Sequence, residues 1–321
     1  MNKIFLLIVV SSTLFAKYDN CEFKNKDYEE ICEKVVKKGV SYRYVNEFLL
    51  SYFKTKKFDE VSWKYIQPSK IKYHRKKEKQ ANNTLVSYIP KMVENLKEYK
   101  YVYDKAEKKY GVNREIIAAI LLKETKLGRI KPTHDAFVVF NTFLTRVDGD
   151  SSRERWLKKM SKTNMISIID YCYKKGVTPN QCNLPSSYAG AVGIPQFMPY
   201  SFIYADSYRG EVADLTTMED AIMSAARFLN KKAKFDTLID WKKMPNLVKI
   251  EKEWYEYDFT HKDASFVYEK SKSAKVYNCF TKNKPELKYL KGYVKKIMRY
   301  NNSSNYAIGV MRLAYDANSH L

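Results

Sequence analysis

The chain has 321 residues, about two domains of ordinary size, and its 58 Lys and Arg against 36 Asp and Glu leave a net charge of +22. Its hydrophobic fraction of 45% excludes an intrinsically disordered chain, because so much apolar surface can form a core. No apolar run approaches the ~20 residues of a spanning helix, which excludes a polytopic membrane protein. The charge favours a polyanionic partner.

The N-terminus indicates export. Lys3 precedes the apolar run 4–10, and the small residue Ala16 ends the segment, which predicts a secretory signal peptide over 1–16. The alternative is a buried N-terminal strand. We therefore expect a periplasmic protein whose mature chain has no integral membrane segment. Export argues against nucleic acid as the partner and favours an anionic polymer outside the cytoplasm.

The five cysteines allow two local disulfides in an exported protein. Cys21 lies near Cys32, and Cys172 lies near Cys182, which leaves Cys279 over. Reduced, buried thiols are the alternative for each pair, because connectivity cannot be deduced from spacing. No cluster of His and Cys has metal-ligand spacing, and the sequence predicts no metal site.

Helical periodicity dominates the first third of the chain. A capping pattern and an apolar stripe predict a helix between Asp27 and Gly39, and Ser41 opens a second one. Residues 67–84 are polar and basic without a period, so we expect an exposed connection there. From 88 to 110, apolar residues at helical spacing predict one long helix that Gly111 ends.

Helical patterns return in the rest of the chain, with one exception. Helices are predicted after Asn113, after Thr217, from Pro285, and finally around Tyr306. The exception is the segment 236–285. Its alternating stretches, such as 266–268 and 276–280, predict short strands in a small mixed insertion.

Glu124 is the first candidate for chemistry. Counted from Ile117, it falls at i+7 and therefore on the apolar face of its helix. Desolvation raises the pKa of a carboxyl group, which suits a general acid that works near neutral pH. The alternative is an ordinary solvated glutamate between Lys123 and Lys126.

The segment Ser187–Pro199 (SYAGAVGIPQFMP) is the second candidate. Its glycines, Gly190 and Gly193, allow a ligand to approach the backbone closely. It also supplies hydrogen-bonding and flat aromatic side chains for sugars: Ser187, Gln196, Tyr188 and Phe197. The alternative is a tight structural turn.

Taken together, these motifs resemble the B-type lytic murein transglycosylases, relatives of goose-type lysozyme. Glu124-Thr125-x-x-Gly128-Arg129 precedes the Ser187–Pro199 segment by about sixty residues. A third block, Tyr300-Asn301-Asn302-Ser303-x-x-Tyr306-Ala307, resembles the C-terminal signature of that family. The blocks stand in the order of the family, and the resemblance covers most of the mature chain.

The resemblance implies a mainly α fold with a lysozyme-like catalytic core and no cofactor. The implied organisation is a signal peptide at 1–16, an N-terminal helical region at 17–85, the catalytic core at 86–235, the small mixed α/β insertion at 236–285, and C-terminal helices at 286–321 that complete the core. The implied partner is the glycan strand of peptidoglycan.

The resemblance also implies the chemistry. Glu124 would protonate the oxygen between N-acetylmuramic acid and N-acetylglucosamine, and its carboxylate would then deprotonate the C6 hydroxyl, which closes a 1,6-anhydro ring. One carboxylate would suffice where most glycosidases use two. The implied substrate-binding residues are Ser187, Tyr188, Gly190, Gln196, Phe197, Tyr300, Asn301 and Tyr306. Among them, Tyr188, Tyr300, Asn301 and Tyr306 would line the cleft and orient Glu124 or the acetamido group.

Two other functions remain open at this point. A hydrolase of lysozyme type would need a second carboxylate, for which Asp135, Asp206 and Asp214 are available. A catalytically inactive peptidoglycan-binding or scaffold protein would keep the sugar contacts alone. The products released from purified cell-wall sacculi distinguish the three.

Overall fold

The computed structural model of the chain describes residues 20–55, 58–70, 77–252 and 285–321, with no side chains described at 51–55. With 64% helix and 2% strand, it confirms the predicted mainly α class. The predicted signal peptide at 1–16 and the predicted strands at 266–268 and 276–280 lie outside the described residues. No helix that the structure describes combines the length and the apolar character needed to cross a membrane.

The principal helices follow one another along the chain, with one two-stranded antiparallel sheet. They are α1 (Lys26–Val36), α2 (Tyr42–Thr55), α3 (Glu60–Tyr65), α4 (Glu78–Val86), α5 (Ile89–Glu98), α6 (Lys100–Tyr110), α7 (Arg114–Thr125), α8 (Ala136–Arg146), α9 (Ser152–Lys174), α10 (Met218–Lys231), α11 (Pro285–Ile297) and α12 (Ser304–Asn318). The strands are β1 (His134–Asp135) and β2 (Pro185–Ser186), paired so that His134 lies opposite Ser186.

The described residues form two compact units, each made of several chain segments. The first unit takes the described residues of 1–66, 133–192 and 198–202, and the second takes those of 67–132, 193–197 and 203–321. The sequence predicts a different, consecutive division into 17–85, 86–235, 236–285 and 286–321. That division stays a prediction.

The first unit has its own aromatic core. Helix α9 packs against α1 and α8, and α3 packs against α8. The rings of Phe48 in α2 and of Phe137, Phe140 and Phe143 in α8 are fully buried in this core. Their burial supplies much of the apolar surface that stabilises the unit.

Two disulfides connect neighbouring segments of the first unit. Cys21 is bonded to Cys32 in α1, and Cys172 near the end of α9 is bonded to Cys182. All four sulfurs therefore belong to the local pairs that the spacing allows. Both bonds close short loops, which removes conformational freedom from the unfolded chain.

The second unit is built around helix α7. Every residue from Glu115 to Leu122 in this helix is buried, because α4, α5, α6, α10 and α12 all pack against it. A helix that is apolar on all sides belongs in the interior of a protein. The sequence pattern indicated only one apolar face, whereas the structure buries residues 115–122 on all sides of the helix.

The long helix predicted over 88–110 is two helices. Tyr99 has φ −99° and ψ 26°, outside the helical range, and separates α5 from α6. Asn95 and Tyr103 are eight residues apart, and a straight helix would separate their Cα atoms by about 12 Å along its axis. The break brings the buried hydroxyl of Tyr103 to the Oδ1 atom of Asn95, at 2.8 Å.

The exposed connection predicted at 67–84 is wrong for its last part. Helix α4 begins at Glu78 and packs against α7 and α12. Asn82 is only 1% exposed. Its amide donates to the backbone oxygen of Asn305 at 2.9 Å, and this bond allows a polar side chain to be buried.

The glycine at position 190 offers a test of packing in the first unit. Gly190 and Gly176 both have a left-handed backbone, with φ +83° and +71°. A Cβ atom at 190 would lie 2.3 Å from Cζ of Phe140, whereas one at 176 meets nothing within 4 Å. Gly176→Ala should lower the free energy of unfolding by about 1 kcal/mol through backbone strain. Gly190→Ala should lower it by a further 1–3 kcal/mol or so through overpacking.

Urea denaturation of the two alanine variants beside the wild type measures this difference. Equal losses at the two positions would contradict the packing role of Gly190.

Candidate active site

Glu124 lies in the last turn of the buried helix α7. The helix ends at Thr125, and the next three residues, Lys126 to Gly128, all have positive φ angles of 50°, 57° and 75°. The backbone N–H of Leu127 donates to the oxygen of Leu121 at 3.1 Å and closes the end of the helix. The chain therefore turns away directly after Glu124, whose side chain is half-buried.

Thr125 ties the end of α7 to the segment 193–197. Its buried Oγ1 donates to the backbone oxygen of Ile194 at 3.0 Å and accepts from the N–H of Gly128 at 3.1 Å. Gly193 has φ +73°, and a Cβ atom there would lie 2.4 Å from the backbone oxygen of Leu215. Close backbone packing thus explains this glycine of the predicted motif.

Tyr306 contacts Glu124 directly. Its hydroxyl donates to Oε1 of Glu124 at 2.7 Å. Ser303 is the N-cap of α12, and its Oγ accepts from the N–H of Tyr306 at 3.2 Å. Ser303 also donates to Glu78 Oε2 at 2.5 Å. The C-terminal motif therefore forms a helix start that places a tyrosine on the carboxyl group.

Tyr300 supports the segment next to Gln196. Its hydroxyl donates to the backbone oxygen of Pro195 at 2.6 Å. Its ring lies 6.0 Å from that of Phe197 and 4.9 Å from that of Phe228, centroid to centroid. Phe197 is only 2% exposed, so its ring packs in the core. That burial does not fit the sugar contact predicted for Phe197.

The surroundings of Glu124 favour its protonated form. Burial raises the pKa of the carboxyl group to about 7, although the hydrogen bond from Tyr306 and the charge of Lys123 lower it and the charge of Glu78 raises it. Burial and the nearby carboxylate raise the pKa of both Tyr300 and Tyr306 well above 10. Tyr306 is therefore a neutral donor over the physiological range.

Lys123 belongs to this site, although the sequence indicated only a charge beside Glu124. Its Nζ lies 4.9 Å from the ring centroid of Tyr306 and donates to Oδ1 of Asn82. Burial lowers the pKa of Lys123, against the charges of neighbouring carboxylates. No sequence signal could have found this contact, because Asn82 is 41 positions away in a segment predicted to be exposed.

Gln196 and Asn301 are two further predicted site residues of the second unit, and they directly follow Pro195 and Tyr300 in the chain. Gln196 has φ +50°, and its Nε2 donates to the backbone oxygen of Gly193 at 2.9 Å, so its amide closes its own turn. Asn301 is exposed, and its backbone oxygen accepts from the N–H of Ser303 at 2.7 Å. In the described part of the chain, neither the side chain of Gln196 nor that of Asn301 is hydrogen-bonded to Glu124.

The other three predicted residues lie in the first unit. Ser187 accepts from the N–H of Ala191 at 3.2 Å, so its hydroxyl stabilises the turn of the motif. The ring of Tyr188 lies 5.0 Å from that of Tyr65. Gly190 packs against Phe140. Each has a structural role within its own unit, and their predicted contacts with sugars stay a prediction.

The three alternative carboxylates are engaged with other groups. Asp135 is the N-cap of α8 and accepts from Val138 N at 3.1 Å. Asp206 accepts from Lys109 at 2.9 Å and from the hydroxyl of Tyr110. Asp214 accepts from the hydroxyl of Thr216 at 2.6 Å. Within the part of the chain that the structure describes, none of the three is hydrogen-bonded to Glu124.

A cavity of about 480 Å³ lies at the opposite end of α7, lined by Asn113, Glu115 and Trp241 among others. Glu115 precedes Glu124 by nine residues, which is about 13 Å of helix. None of the predicted site residues lines this cavity. In the described ranges, no group of His, Cys, Asp and Glu side chains is arranged to hold a metal ion.

Comparison with known proteins finds a family model and solved structures that are similar to this chain. The family model of the transglycosylase SLT domain matches residues 24–315. No curated protein matches the chain in sequence.

Solved structures with the same fold include three bacterial enzymes. Soluble lytic transglycosylase SltB1 from Pseudomonas aeruginosa matches with a TM-score of 0.57 at 19% identity, over 91% of this chain and 99% of its own. Escherichia coli lytic transglycosylase Slt35 in complex with bulgecin A matches with 0.55 at 18%, over 98% and 99%. SltB3 from P. aeruginosa, in complex with NAG-anhNAM-pentapeptide, matches with 0.59 at 15%, over 90% and 78%.

The raised pKa of Glu124 predicts a pH-dependent effect of Glu124→Gln on stability. In the unfolded chain the carboxyl ionises near its ordinary pKa of 4.5, and in the folded protein near 7. Below 4.5 both states are protonated, so the wild type and the variant should differ little. As pH rises from there to about 7, ionisation increasingly favours the unfolded wild type. Above 7, Glu124→Gln should therefore be the more stable protein by up to about 3 kcal/mol.

Urea denaturation at a series of pH values measures this difference. The same substitution at Glu94, whose side chain is 63% exposed, is the control. If the free energies of unfolding of Glu124→Gln and wild type differ by a constant amount across the pH range, Glu124 does not have a raised pKa in the folded protein.

Proposed function

The chain belongs to the transglycosylase SLT domain family of enzymes that cleave the glycosidic bonds of peptidoglycan, and on that premise we propose its specific reaction. It cleaves the β-1,4 bond between N-acetylmuramic acid and N-acetylglucosamine and leaves a 1,6-anhydro ring on the muramyl sugar. The observation that carries the proposal is the half-buried carboxyl of Glu124, held by the neutral hydroxyl of Tyr306.

In the first step, protonated Glu124 donates its proton to the glycosidic oxygen, and the bond from that oxygen to C1 of the muramyl sugar breaks. The acetamido group of that sugar stabilises the positive charge on C1. Tyr306 occupies Oε1 of Glu124, so Oε2 carries the proton. General acid catalysis of this kind contributes about 10²–10⁴-fold to the rate.

In the second step, Glu124 acts as a base. Its carboxylate takes the proton of the C6 hydroxyl, and the oxygen forms a bond to C1, which closes the ring without water. Glu124 returns to its protonated state, so acid and base are the same group. A pKa of about 7 suits both roles, because neither proton transfer is then strongly uphill near neutral pH.

The contacts of the other carboxylates support this reaction over hydrolysis of lysozyme type. An inverting hydrolase needs a second carboxylate to activate water, and a retaining one needs it as a nucleophile. Asp135, Asp206 and Asp214 each accept hydrogen bonds from groups of the protein. Glu124 combines a raised pKa with a hydrogen bond from a tyrosine, as a single acid and base requires.

The substrate proposed here is a glycan strand of peptidoglycan in the periplasm, reached through the signal peptide at 1–16. The disulfides Cys21–Cys32 and Cys172–Cys182 support export, because such bonds persist in oxidising compartments. The net charge, which is +22 for the whole chain and +21 without Lys3 of the signal peptide, would favour adhesion to the carboxylates of the stem peptides.

Digestion of purified sacculi tests the reaction. The wild-type protein should release muropeptides that are lighter by one water than the products of hydrolysis. Glu124→Gln keeps the acceptor for Tyr306 but has no proton to give, so release should fall by about 10²–10⁴-fold. Asp214→Asn is the matched control and should retain activity. Products with a reducing end would support the hydrolase instead, and full activity of Glu124→Gln would contradict the role of Glu124.

The pH dependence of the reaction gives a second test. Only the protonated form of Glu124 is the acid, so the rate should fall as pH rises through about 7. Solubilisation of labelled sacculi between about pH 5 and pH 9 measures this fall in rate. A rate that is unchanged across that range would be inconsistent with Glu124 as the general acid.

A further inference from the structure

Lys123, directly before Glu124, makes contacts that an ordinary helix lysine does not make. Its ammonium group donates to Asn82 on α4 and lies over the ring of Tyr306 on α12. The hydroxyl of Tyr306 donates to Glu124. Tyr306 therefore contacts Lys123 through its ring and Glu124 through its hydroxyl.

The partner of Lys123 is held rigidly. Asn82 is 1% exposed, and its Nδ2 donates to the backbone oxygen of Asn305, so the amide must present Oδ1 to Lys123. A Cβ atom at Gly309 would lie 2.5 Å from the amide atoms of Asn82. A glycine in α12 thus leaves the room that this amide occupies.

Three carboxylates act on the charge of Lys123. Burial lowers the pKa of Lys123, and the charges of Glu78, Glu124 and Glu251 oppose this by favouring its charged form. Glu78 accepts from Ser303, and Glu251 lies 3.3 Å from Arg312. Glu124 is thus the carboxyl group among the three that adjoins Lys123 in the chain and shares Tyr306 with it.

We propose that Lys123 is a positioning residue for the reaction: its ammonium, fixed by Asn82, holds Tyr306 on Glu124 and stabilises the carboxylate formed after the first proton transfer. A cation over the face of a tyrosine is attracted by the ring and also polarises its hydroxyl toward donation. The positive charge acts most strongly on the ionised form of Glu124, which is the base of the second step. The catalytic meaning of this assignment rests on the proposed function.

Lys123→Met removes the charge but keeps a long apolar side chain. Without the cation, the ionised carboxylate is less stable, so the titration midpoint of Glu124 should rise by about one pH unit. The pH at which the rate of sacculus solubilisation falls should rise by the same amount. Lys123→Arg keeps the charge and should restore most of the wild-type midpoint.

Lys126→Met is the matched control. Lys126 lies at the same helix end, donates to the hydroxyl of Tyr88 at 3.0 Å, and lies 4.6 Å from that ring centroid. The Lys126→Met variant therefore loses the same charge and the same kind of ring contact, but it leaves the contacts of Tyr306 and Glu124 unchanged. The titration midpoint of Glu124 in this variant should stay at the wild-type value.

Two readouts keep the outcomes distinct. The ¹³C NMR titration of the Glu124 carboxyl, assigned by its absence in Glu124→Gln, reports the midpoint without any need for turnover. The pH profile of sacculus solubilisation reports the catalytic consequence. Full activity of Glu124→Gln would overturn the proposed function, while the NMR comparison would still decide the role of Lys123.

An unchanged midpoint in Lys123→Met would overturn this inference, as would an equal shift in Lys126→Met. If Lys123→Met fails to fold, Lys123→Gln offers Asn82 a polar partner without the charge and serves the same comparison.

Discussion

Burial of helix α7 on all sides is the constraint from which the candidate site follows. Five helices surround it, so its residues from Ile116 to Leu122 are fully buried. Glu124 lies two residues beyond this buried stretch, in the last turn of the helix, just before three residues with left-handed backbone end it. The same packing that stabilises the second unit therefore desolvates the carboxyl group and raises its pKa to about 7.

The hydrogen-bond donor to that carboxyl group is a neutral hydroxyl, that of Tyr306 at 2.7 Å. Tyr306 stays protonated at physiological pH because burial and the adjacent carboxylate both disfavour a phenolate. Its hydrogen bond stabilises the ionised form of Glu124 without holding it ionised, in contrast to a direct ion pair. A group that must give a proton and then take one back needs such a balance, since a strong bias toward either state would slow one of the two steps.

Buried polar contacts hold the loops of the site in place. Thr125 joins the end of α7 to the backbone of Ile194, and Ser303 caps α12 so that Tyr306 falls in its first turn. Tyr300 reaches the backbone of Pro195. Each contact satisfies a backbone group that loop geometry would leave unpaired, which is why the motifs combine small hydroxyl residues with tyrosines. Several motif residues thus stabilise the site by supporting its backbone.

The sequence by itself determined the helical class and the helix starts at Asn113, Thr217 and Pro285, because periodicity and caps are local along the chain. It also supplied Glu124 and Tyr306 as predictions, through motifs that are equally local. It also indicated the cysteine pairs, since they are near neighbours in sequence. Only the tertiary structure decided that Phe197 is core, that helix 88–110 breaks at Tyr99, and that Asn82 is buried against α12. Lys123 shows the reason: its environment comes from side chains 41 and 183 positions away, and no local pattern encodes such distant contacts.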